Sequence, residues 1–328
     1  MAGGAADPGN VQFKNRWNQT ASVRVLCGQS FGKRLRSMYN LVEGCVGGGL
    51  ILAGGKGHRH MTDRQSDVPR QVLKTEGLED TMDRPGLGYR FARLVTNFAE
   101  RMNLKYSRVG NPPVYGNATF PWAAEIEAEW HLIRAELDRL LTRKDELPGF
   151  HEIATDVRTI SADQNWKTFL ICGYGIKSQE AIETCPETWR ILQKIPGLTS
   201  GLFSIFEPGK HLPPHRGPYN GVLRFHLGLV VPAEPDKIGI RVANQICHWQ
   251  EGKALIFDDA YEHEAWNHSD QVRVVLFVDF VKPLRFPANL VNWFILHAAV
   301  FTPFIREGYV AQKKWERLFF GGAKEKGV

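Results

Sequence analysis

The stretch between residues 203 and 280 decides the fold of this chain. It contains FSIFEPGKHLPPHRGPYNGVLRFHLGL at residues 203–229, LIFDDAYEHEAWN at residues 255–267 and VRVVLFVDF at residues 272–280. Within these blocks polar and apolar side chains recur with a period of two residues, which is the period of a β-strand. Pro, Gly, Asp and Asn residues separate the alternating runs and predict turns.

The alternation collects polar side chains on one face of the predicted strands. Ser204 shares a strand face with Phe206, and Arg224 shares one with His226. Further short strands are predicted at residues 238–242, 254–257 and 272–280. Many short strands with few helices among them predict a mainly β fold of the jelly-roll or barrel type.

Helical periodicity flanks the strands on both sides. Apolar residues recur at three- and four-residue steps over residues 87–105, and again from Pro121 until Pro148. The first of these helices is predicted either to lie on a membrane or partner, or to dock on its own protein. A shorter helix is predicted over residues 186–194. Residues 288–304 predict an apolar helix that is too short to cross a bilayer comfortably.

These patterns divide the chain into four segments. Residues 1–85 show no sustained period and few aromatic residues, which predicts a disordered tail. Residues 86–150 are expected to form a helical support region, and residues 151–285 the β domain. Residues 286–328 are predicted to be helical, and their basic and aromatic side chains suit either an interfacial anchor or a docked C-terminal helix.

The chain carries a net charge of +6 that is unevenly distributed. Residues 1–110 carry 17 Lys and Arg against 9 Asp and Glu, residues 111–281 carry 16 against 23, and residues 282–328 carry 8 against 3. A nucleic-acid groove would concentrate the basic surplus on one folded domain, so no nucleic-acid partner is expected. Basic ends on an acidic body indicate peripheral contact with an anionic membrane, or simply solvated tails.

The five cysteines form no Cys-x-x-Cys motif and no close pair. This pattern argues against a disulfide framework or a zinc site and fits a reducing compartment. We therefore expect a cytoplasmic protein, with a peripheral position at the inner face of a membrane as one alternative and solvated basic tails as the other. No run of 18 apolar residues occurs, so no transmembrane helix is predicted.

Two histidines and two arginines in the central stretch carry the candidate chemistry. His215 and His263 could hold a first-row metal such as Fe(II), although two histidines alone fit a structural role at least as well. Arg224 and Arg273 are predicted to point inside the β domain, where a cation is costly unless it meets an anion. A small dicarboxylate would supply that anion, because Arg can hold a carboxylate bidentately.

Four motifs within residues 163–283 carry a family resemblance. They are SIFEPG at 204–209, PHRGPYN at 214–220, LRFHLGL at 223–229 and FDDAYEHEAW at 257–266. Together and in this order they resemble the aspartyl/asparaginyl β-hydroxylase family. That family includes bacterial relatives that hydroxylate acyl chains of lipid A or ornithine lipid.

The resemblance implies a double-stranded β-helix, of the jelly-roll or cupin-like class, that uses Fe(II), 2-oxoglutarate and O2. His215 and His263 match the family's catalytic metal ligands. Gly217 stands where most iron/2-oxoglutarate enzymes have the carboxylate of a 2-His-1-carboxylate triad, a gap that the family shares. The positions that match contacts or neighbours of 2-oxoglutarate are Ser204, Arg224, His226, Arg273 and Trp166.

Other residues in the stretch compete for a metal role. His268 and Asp270 form a His-x-Asp motif with His297 downstream, which we interpret as turn chemistry. Asp258 and Asp259 are interpreted as a structural turn pair, with one of them orienting His263.

Three functions remain open on the sequence alone. An acyl chain of a membrane lipid is the favoured substrate, because of the basic ends and the apolar segment at residues 288–304. The alternative substrate is an Asp or Asn side chain of a peptide. A non-catalytic jelly-roll binding module is the alternative of another class, and it predicts loss of a metal-binding histidine or of an inward arginine. Neither is lost.

Overall fold

The computed structural model describes residues 10–14, 20–24, 87–299 and 303–325. The chain divides into two compact units, Met1–Ser66 and Asp67–Val328. The described part of the first unit is an antiparallel hairpin of β1 (Asn10–Lys14) and β2 (Thr20–Arg24). The predicted disordered tail lies mostly outside the described residues, and the sequence pattern does not predict this hairpin.

The second unit is built on two antiparallel sheets. Its strands are β3 (Val114–Tyr115), β4 (Trp166–Gly173), β5 (Ile176–Lys177), β6 (Leu198–Phe206), β7 (Lys210–His215), β8 (Val222–Val230), β9 (Ile238–Val242), β10 (Gln245–Cys247), β11 (Ala254–Phe257), β12 (His263–Asn267) and β13 (Arg273–Val281). A seven-stranded sheet has the order β3-β11-β8-β13-β6-β4-β5, and a four-stranded sheet has the order β10-β9-β12-β7. This arrangement confirms the predicted jelly-roll class with flanking helices.

Helices surround the sheets. They are α1 (Leu87–Lys105), α2 (Trp122–Ala128), α3 (Trp130–Leu141), α4 (Phe150–Ile153), α5 (Gln179–Thr184), α6 (Pro186–Leu192), α7 (Ala288–Ala299) and α8 (Pro303–Glu325). The single helix predicted from Pro121 is two helices, because Glu129 leaves helical geometry with φ −104° and ψ 9°. Among the described helices, none combines the length and apolar character needed to cross a membrane.

The seven-stranded sheet is buried on both faces, and the two-residue period decides which side chain meets which face. Phe203 and Phe225 belong to a core that packs against the helices, with Ile126 and Ile133 among its members. Phe206 belongs to a second core that fills the space between the two sheets. Burying each such side chain stabilises the fold by about 1.5–3 kcal/mol relative to leaving it exposed. This free energy fixes which face of each strand meets the helices and which meets the second sheet.

The C-terminal helix α8 is docked on the β domain. Phe319 is buried, and the ring centroid of Trp315 lies 5.9 Å from that of Phe169 on β4. Docking of the C-terminal helix on its own protein is therefore confirmed for α8.

Candidate active site

A cavity lies between the two sheets and encloses about 350 Å³ of space, part of it open to solvent. All seven residues singled out from the sequence line it: Trp166, Ser204, His215, Arg224, His226, His263 and Arg273. The structure therefore brings together side chains that the sequence separates by up to about a hundred positions. Their roles depend on which of their polar atoms are already partnered.

The two candidate metal ligands are neighbours on adjacent strands. His215 ends β7 and His263 begins β12, their Cα atoms are register partners, and their ring centroids lie 4.2 Å apart. Nδ1 of His215 bonds to the carbonyl of Pro213 at 2.8 Å, and Nδ1 of His263 bonds to the carbonyl of Tyr261 at 2.9 Å. Because a carbonyl only accepts, both Nδ1 atoms carry the proton and both Nε2 atoms keep a lone pair.

Both imidazoles are held in the neutral form. Burial lowers the pKa of His215 below its usual range, and Arg224 lowers it further. Burial also lowers the pKa of His263 well below its usual range, with contributions from His215 and Arg224. A neutral imidazole is the form that binds a metal, so neither ligand would have to lose a proton first near pH 7.

No carboxylate of the described part of the chain completes a triad at this pair. Within residues 87–299 and 303–325, no group of three His, Cys, Asp or Glu side chains is placed to hold a metal ion. A Cβ on Gly217 would lie only 2.2 Å from Oδ2 of Asp259, so the position cannot carry a side chain without a shift. Glycine is needed here because Asp259 occupies the adjoining space.

The Asp258-Asp259 pair has other partners than the one we predicted. Asp258 accepts a hydrogen bond from Ala260 N within the turn and pairs with buried Lys282 at 2.7 Å. Asp259 pairs with Arg224 at 2.9 Å. The prediction that one of these aspartates orients His263 is wrong, because a backbone carbonyl accepts its Nδ1 proton. Their interpretation as a structural turn pair is confirmed.

Arg273 is a buried cation that has no counter-ion among the residues the structure describes. It is 1% exposed, and its Nε and Nη1 have no hydrogen-bond partner. Its guanidinium lies over the rings of Phe206 at 3.7 Å and Trp249 at 4.4 Å. Burial lowers the pKa of Arg273 to about 9. Desolvation without a compensating charge makes this the strongest anion-seeking group in the cavity.

His226 presents a second unpartnered donor. Trp249 donates its indole N–H to Nδ1 of His226 at 3.3 Å, so the proton of the neutral imidazole lies on Nε2. That Nε2 has no hydrogen-bond partner among the described residues. Burial, followed by the nearby Arg224 and Arg273 charges, lowers the pKa of His226 well below its usual range. The ring therefore offers a neutral N–H donor.

The remaining predicted contacts are already engaged with other groups. Arg224 lies over the ring of Phe277 and pairs with Asp279 at 2.9 Å, in addition to Asp259. Trp166 donates its indole N–H to Ser204 Oγ at 3.0 Å. Contacts of Arg224, Ser204 and Trp166 with 2-oxoglutarate stay predictions.

The competing His-x-Asp motif lies at an exposed turn. His268 is exposed, and the Ser269 hydroxyl next to it donates to Asn267 Oδ1 at 2.7 Å, which is turn chemistry as predicted. His297 is exposed on α7 and bonds to the carbonyl of Trp293. Trp249 is a polar contact of the site that the sequence did not predict; it follows the short strand β10 and carries no periodic signal.

Fold and site together define the class of this protein: a double-stranded β-helix enzyme domain with a candidate two-histidine metal site. The sequence model of the family described as Aspartyl/Asparaginyl beta-hydroxylase matches residues 127–283. An ornithine lipid ester-linked acyl 2-hydroxylase of Rhizobium tropici is 61% identical over 263 residues, which cover 80% of this chain and 93% of that protein. The chain belongs to the aspartyl/asparaginyl β-hydroxylase family, and it is a hydroxylase.

A second relative and one solved structure also align with parts of the chain. The aspartyl/asparaginyl beta-hydroxylase of Homo sapiens is 37% identical over 163 residues, which cover 48% of this chain and 21% of that protein. The crystal structure of a Pseudomonas putida prolyl-4-hydroxylase aligns at 18% identity and a TM-score of 0.33, over 47% of this chain and 87% of that chain. A score this low supports no argument.

Proposed function

We propose that this protein is an Fe(II)- and 2-oxoglutarate-dependent dioxygenase that hydroxylates an acyl chain of a membrane lipid. The observation that carries the proposal is one cavity that joins two neutral histidines, whose Nε2 atoms keep a lone pair, to a buried arginine that has no counter-ion among the described residues. A membrane-peripheral, cytoplasmic location is part of the same proposal.

The residues present fit Fe(II). Imidazole nitrogen suits first-row metals, and the backbone bonds at Nδ1 of His215 and His263 fix the tautomer that a ligand needs. His215 and His263 would hold the metal. Because Gly217 supplies no carboxylate, the remaining coordination positions are left to the cosubstrate and to small molecules.

The same cavity fits a dicarboxylate. Arg273 would pair with one carboxylate, which would relieve the cost of burying its charge. His226 would donate its Nε2 proton to an oxygen of the same ligand. When bound, iron and 2-oxoglutarate supply, with O2, the oxidising chemistry that replaces a C–H hydrogen by a hydroxyl. The chain orients these groups and excludes water with the apolar walls around Phe257 and Phe277.

The lipid substrate is supported by the Rhizobium tropici relative, whose name specifies an ester-linked acyl chain of ornithine lipid. This similarity spans 93% of that protein at 61% identity, against 21% at 37% identity for the human relative. Hydroxylation of an Asp or Asn side chain is therefore the second candidate. It is supported by the human relative and the family description.

The test is turnover by purified protein with Fe(II), ascorbate and 2-oxoglutarate, offered either vesicles that contain ornithine lipid or an Asp- and Asn-bearing peptide. We expect succinate release coupled to a gain of one oxygen atom in the lipid acyl chain, and no turnover by His263→Ala. Coupled oxidation of the peptide alone would favour the second candidate. Folded protein that releases no succinate under any of these conditions would rule out the 2-oxoglutarate enzyme.

A further inference from the structure

Two helices that pack against each other expose large apolar side chains to solvent. On α1 these are Phe91, Leu94 and Phe98, and α1 contacts α7. On α7 they are Leu290, Trp293 and Phe294, and Phe286 lies just before this helix. All seven side chains are between 56% and 71% exposed. We call these seven residues the helix-pair surface. Clusters of exposed large apolar residues of this kind mark interaction sites.

On each helix the exposed apolar side chains line up along one face. On α1 the spacing of Phe91, Leu94 and Phe98 follows one stripe, and the same stripe continues with exposed Arg101 and Lys105. The apolar half of the stripe is thus followed by a basic half. On α7, residues 290, 293 and 294 likewise share one face.

Neither of the two helices, as far as the structure describes them, exposes an acidic side chain. Glu100 is the only acidic residue between positions 87 and 108 of the sequence, and its side chain is buried. No Asp or Glu occurs from position 283 to 306. Exposed Arg108 and Arg285 add basic charge where backbone hydrogen bonds join the end of α1 to the start of α7, with Arg285 N donating to the carbonyl of Tyr106 at 2.8 Å.

Both helices are hydrogen-bonded to the loop that follows His215, a residue that lines the cavity. Asn103 of α1 donates to Tyr219 Oη and to Asn220 Oδ1, each at 3.0 Å. Asn292 of α7 donates to the carbonyl of Gly221 at 2.8 Å. These three partners lie in the loop that joins β7, which ends at His215, to β8. The helix-pair surface is therefore held in a fixed relation to the candidate metal ligands.

The occupant that fits this surface is an anionic lipid bilayer. Aromatic and aliphatic side chains would enter the interface, while arginine and lysine meet lipid phosphates. A second copy of this chain is disfavoured, because a symmetric contact would bring Arg101 and Lys105 of the two copies together without any acidic partner. The short apolar stripes suit a surface-lying helix pair, and neither helix can span the bilayer.

We propose that the helix-pair surface docks the protein on an anionic bilayer and so holds the mouth of the cavity against its lipid substrate. The substrate part of this inference rests on the proposed function, whereas the docking part does not. Docking would let an acyl chain reach the cavity without complete extraction of the lipid into water, which is costly for each buried methylene.

The test is flotation of the full chain with vesicles of phosphatidylcholine, or of phosphatidylcholine mixed with phosphatidylglycerol. We expect strong binding only to the anionic mixture. The double variant Trp293→Ser/Phe294→Ser should lower the vesicle partition coefficient about 100-fold or more, because two large side chains leave the interface. Arg101→Glu/Lys105→Glu should lower it at least about 25-fold, since each basic residue near an anionic surface contributes about fivefold.

The matched control is Ile246→Ser, which removes an equally exposed apolar side chain from β10, away from both helices. It should bind vesicles like the wild type. All variants should keep the 2-oxoglutarate turnover that occurs without lipid, which reports correct folding. On detergent-dispersed lipid they should hydroxylate normally, and on vesicles the two double variants should fail.

Each result has a defined meaning. Vesicle binding that both double variants retain would overturn the docking proposal. So would a dimer, detected by light scattering, that Trp293→Ser/Phe294→Ser dissociates while the wild type ignores vesicles. Loss of vesicle binding in the variants, in a protein that hydroxylates no lipid in any form, would support docking and refute the lipid substrate.

Discussion

Replacement of Arg273 by methionine should leave the ligand-free protein at least as stable as the wild type and should weaken its affinity for 2-oxoglutarate. The guanidinium is 1% exposed, two of its nitrogens have no partner, and its neighbours are the rings of Phe206 and Trp249. Methionine has a similar length and fits an aromatic environment. Even a buried ion pair can be replaced by apolar side chains of similar volume at no cost or with a gain of about 1–4 kcal/mol, so removing an unpaired buried charge should not destabilise the protein. The ligand-free variant should therefore unfold at equal or higher urea concentration.

The same substitution should severely weaken the use of 2-oxoglutarate. Removing one partner of a buried charge pair costs about 2–5 kcal/mol, which corresponds to roughly 30- to 4000-fold in affinity. We expect this loss as a raised KM for 2-oxoglutarate, measured by succinate release, with the Fe(II) requirement unchanged. Arg273→Lys should recover part of the loss, because it restores the charge without the bidentate geometry.

Arg224→Met is the matched control for the Arg273 variant. Arg224 pairs with Asp279 and Asp259, each at 2.9 Å, so its removal leaves two buried carboxylates unpaired. That variant should lose about 3–5 kcal/mol of stability. If Arg273→Met destabilises the ligand-free protein as much as Arg224→Met does, or changes the KM for 2-oxoglutarate by less than about tenfold, the reasoning about Arg273 is refuted.

Three further changes test other parts of the site. His263→Ala should abolish 2-oxoglutarate turnover and tight Fe(II) binding, whereas His268→Ala at the exposed turn should alter neither; turnover in the first variant would remove His263 from the ligand pair. Gly217→Ala should lower the free energy of unfolding by about 1–3 kcal/mol, because its Cβ would lie 2.2 Å from Asp259 Oδ2. The control Gly116→Ala, which has no atom within 4 Å of the new Cβ, should be near neutral; urea unfolding measures both. Burial raises the pKa of Glu100 from 4.5 to about 7. Between pH 4.5 and 7 the folded state therefore binds more protons than the unfolded state, so this group's contribution to the free energy of unfolding is complete below pH 4.5 and is lost as the pH rises through 7. Glu100→Gln should remove this pH dependence of stability, which is worth about 3 kcal/mol. A variant whose stability depends on pH as the wild type's does would contradict the assignment.

The alternation of residue types predicted the faces of the central strands correctly. Leu223 and Phe225 pack on the helix side of the sheet, whereas Arg224 and His226 line the cavity. The two-residue period is a local property of the chain, so the sequence contains all the information that this prediction needs.

Whether each of the two inward arginines is paired with a carboxylate could not be predicted in the same way. Arg224 and Arg273 both occupy inward positions of long strands, and only the structure shows that one is paired with two aspartates and the other with none. Pairing depends on side chains that approach from other strands and turns. The sequence pattern carries no information about such contacts.

Long-range contacts also explain the other misses. Trp249 has no periodic signal, yet it donates to His226 and covers Arg273. Asn103 and Asn292 look like polar interruptions of apolar helices, but both are buried donors to the loop after His215. In each case the role arises from a partner far away in the sequence.

The most direct test of the central claim is hydroxylation of ornithine lipid vesicles by purified protein under isotopically labelled O2. We expect one labelled hydroxyl in the acyl chain for each labelled succinate formed, and neither product from His215→Ala or His263→Ala. A hydroxyl without the label, or a folded, iron-loaded protein that forms no succinate with any lipid or peptide, would contradict the account.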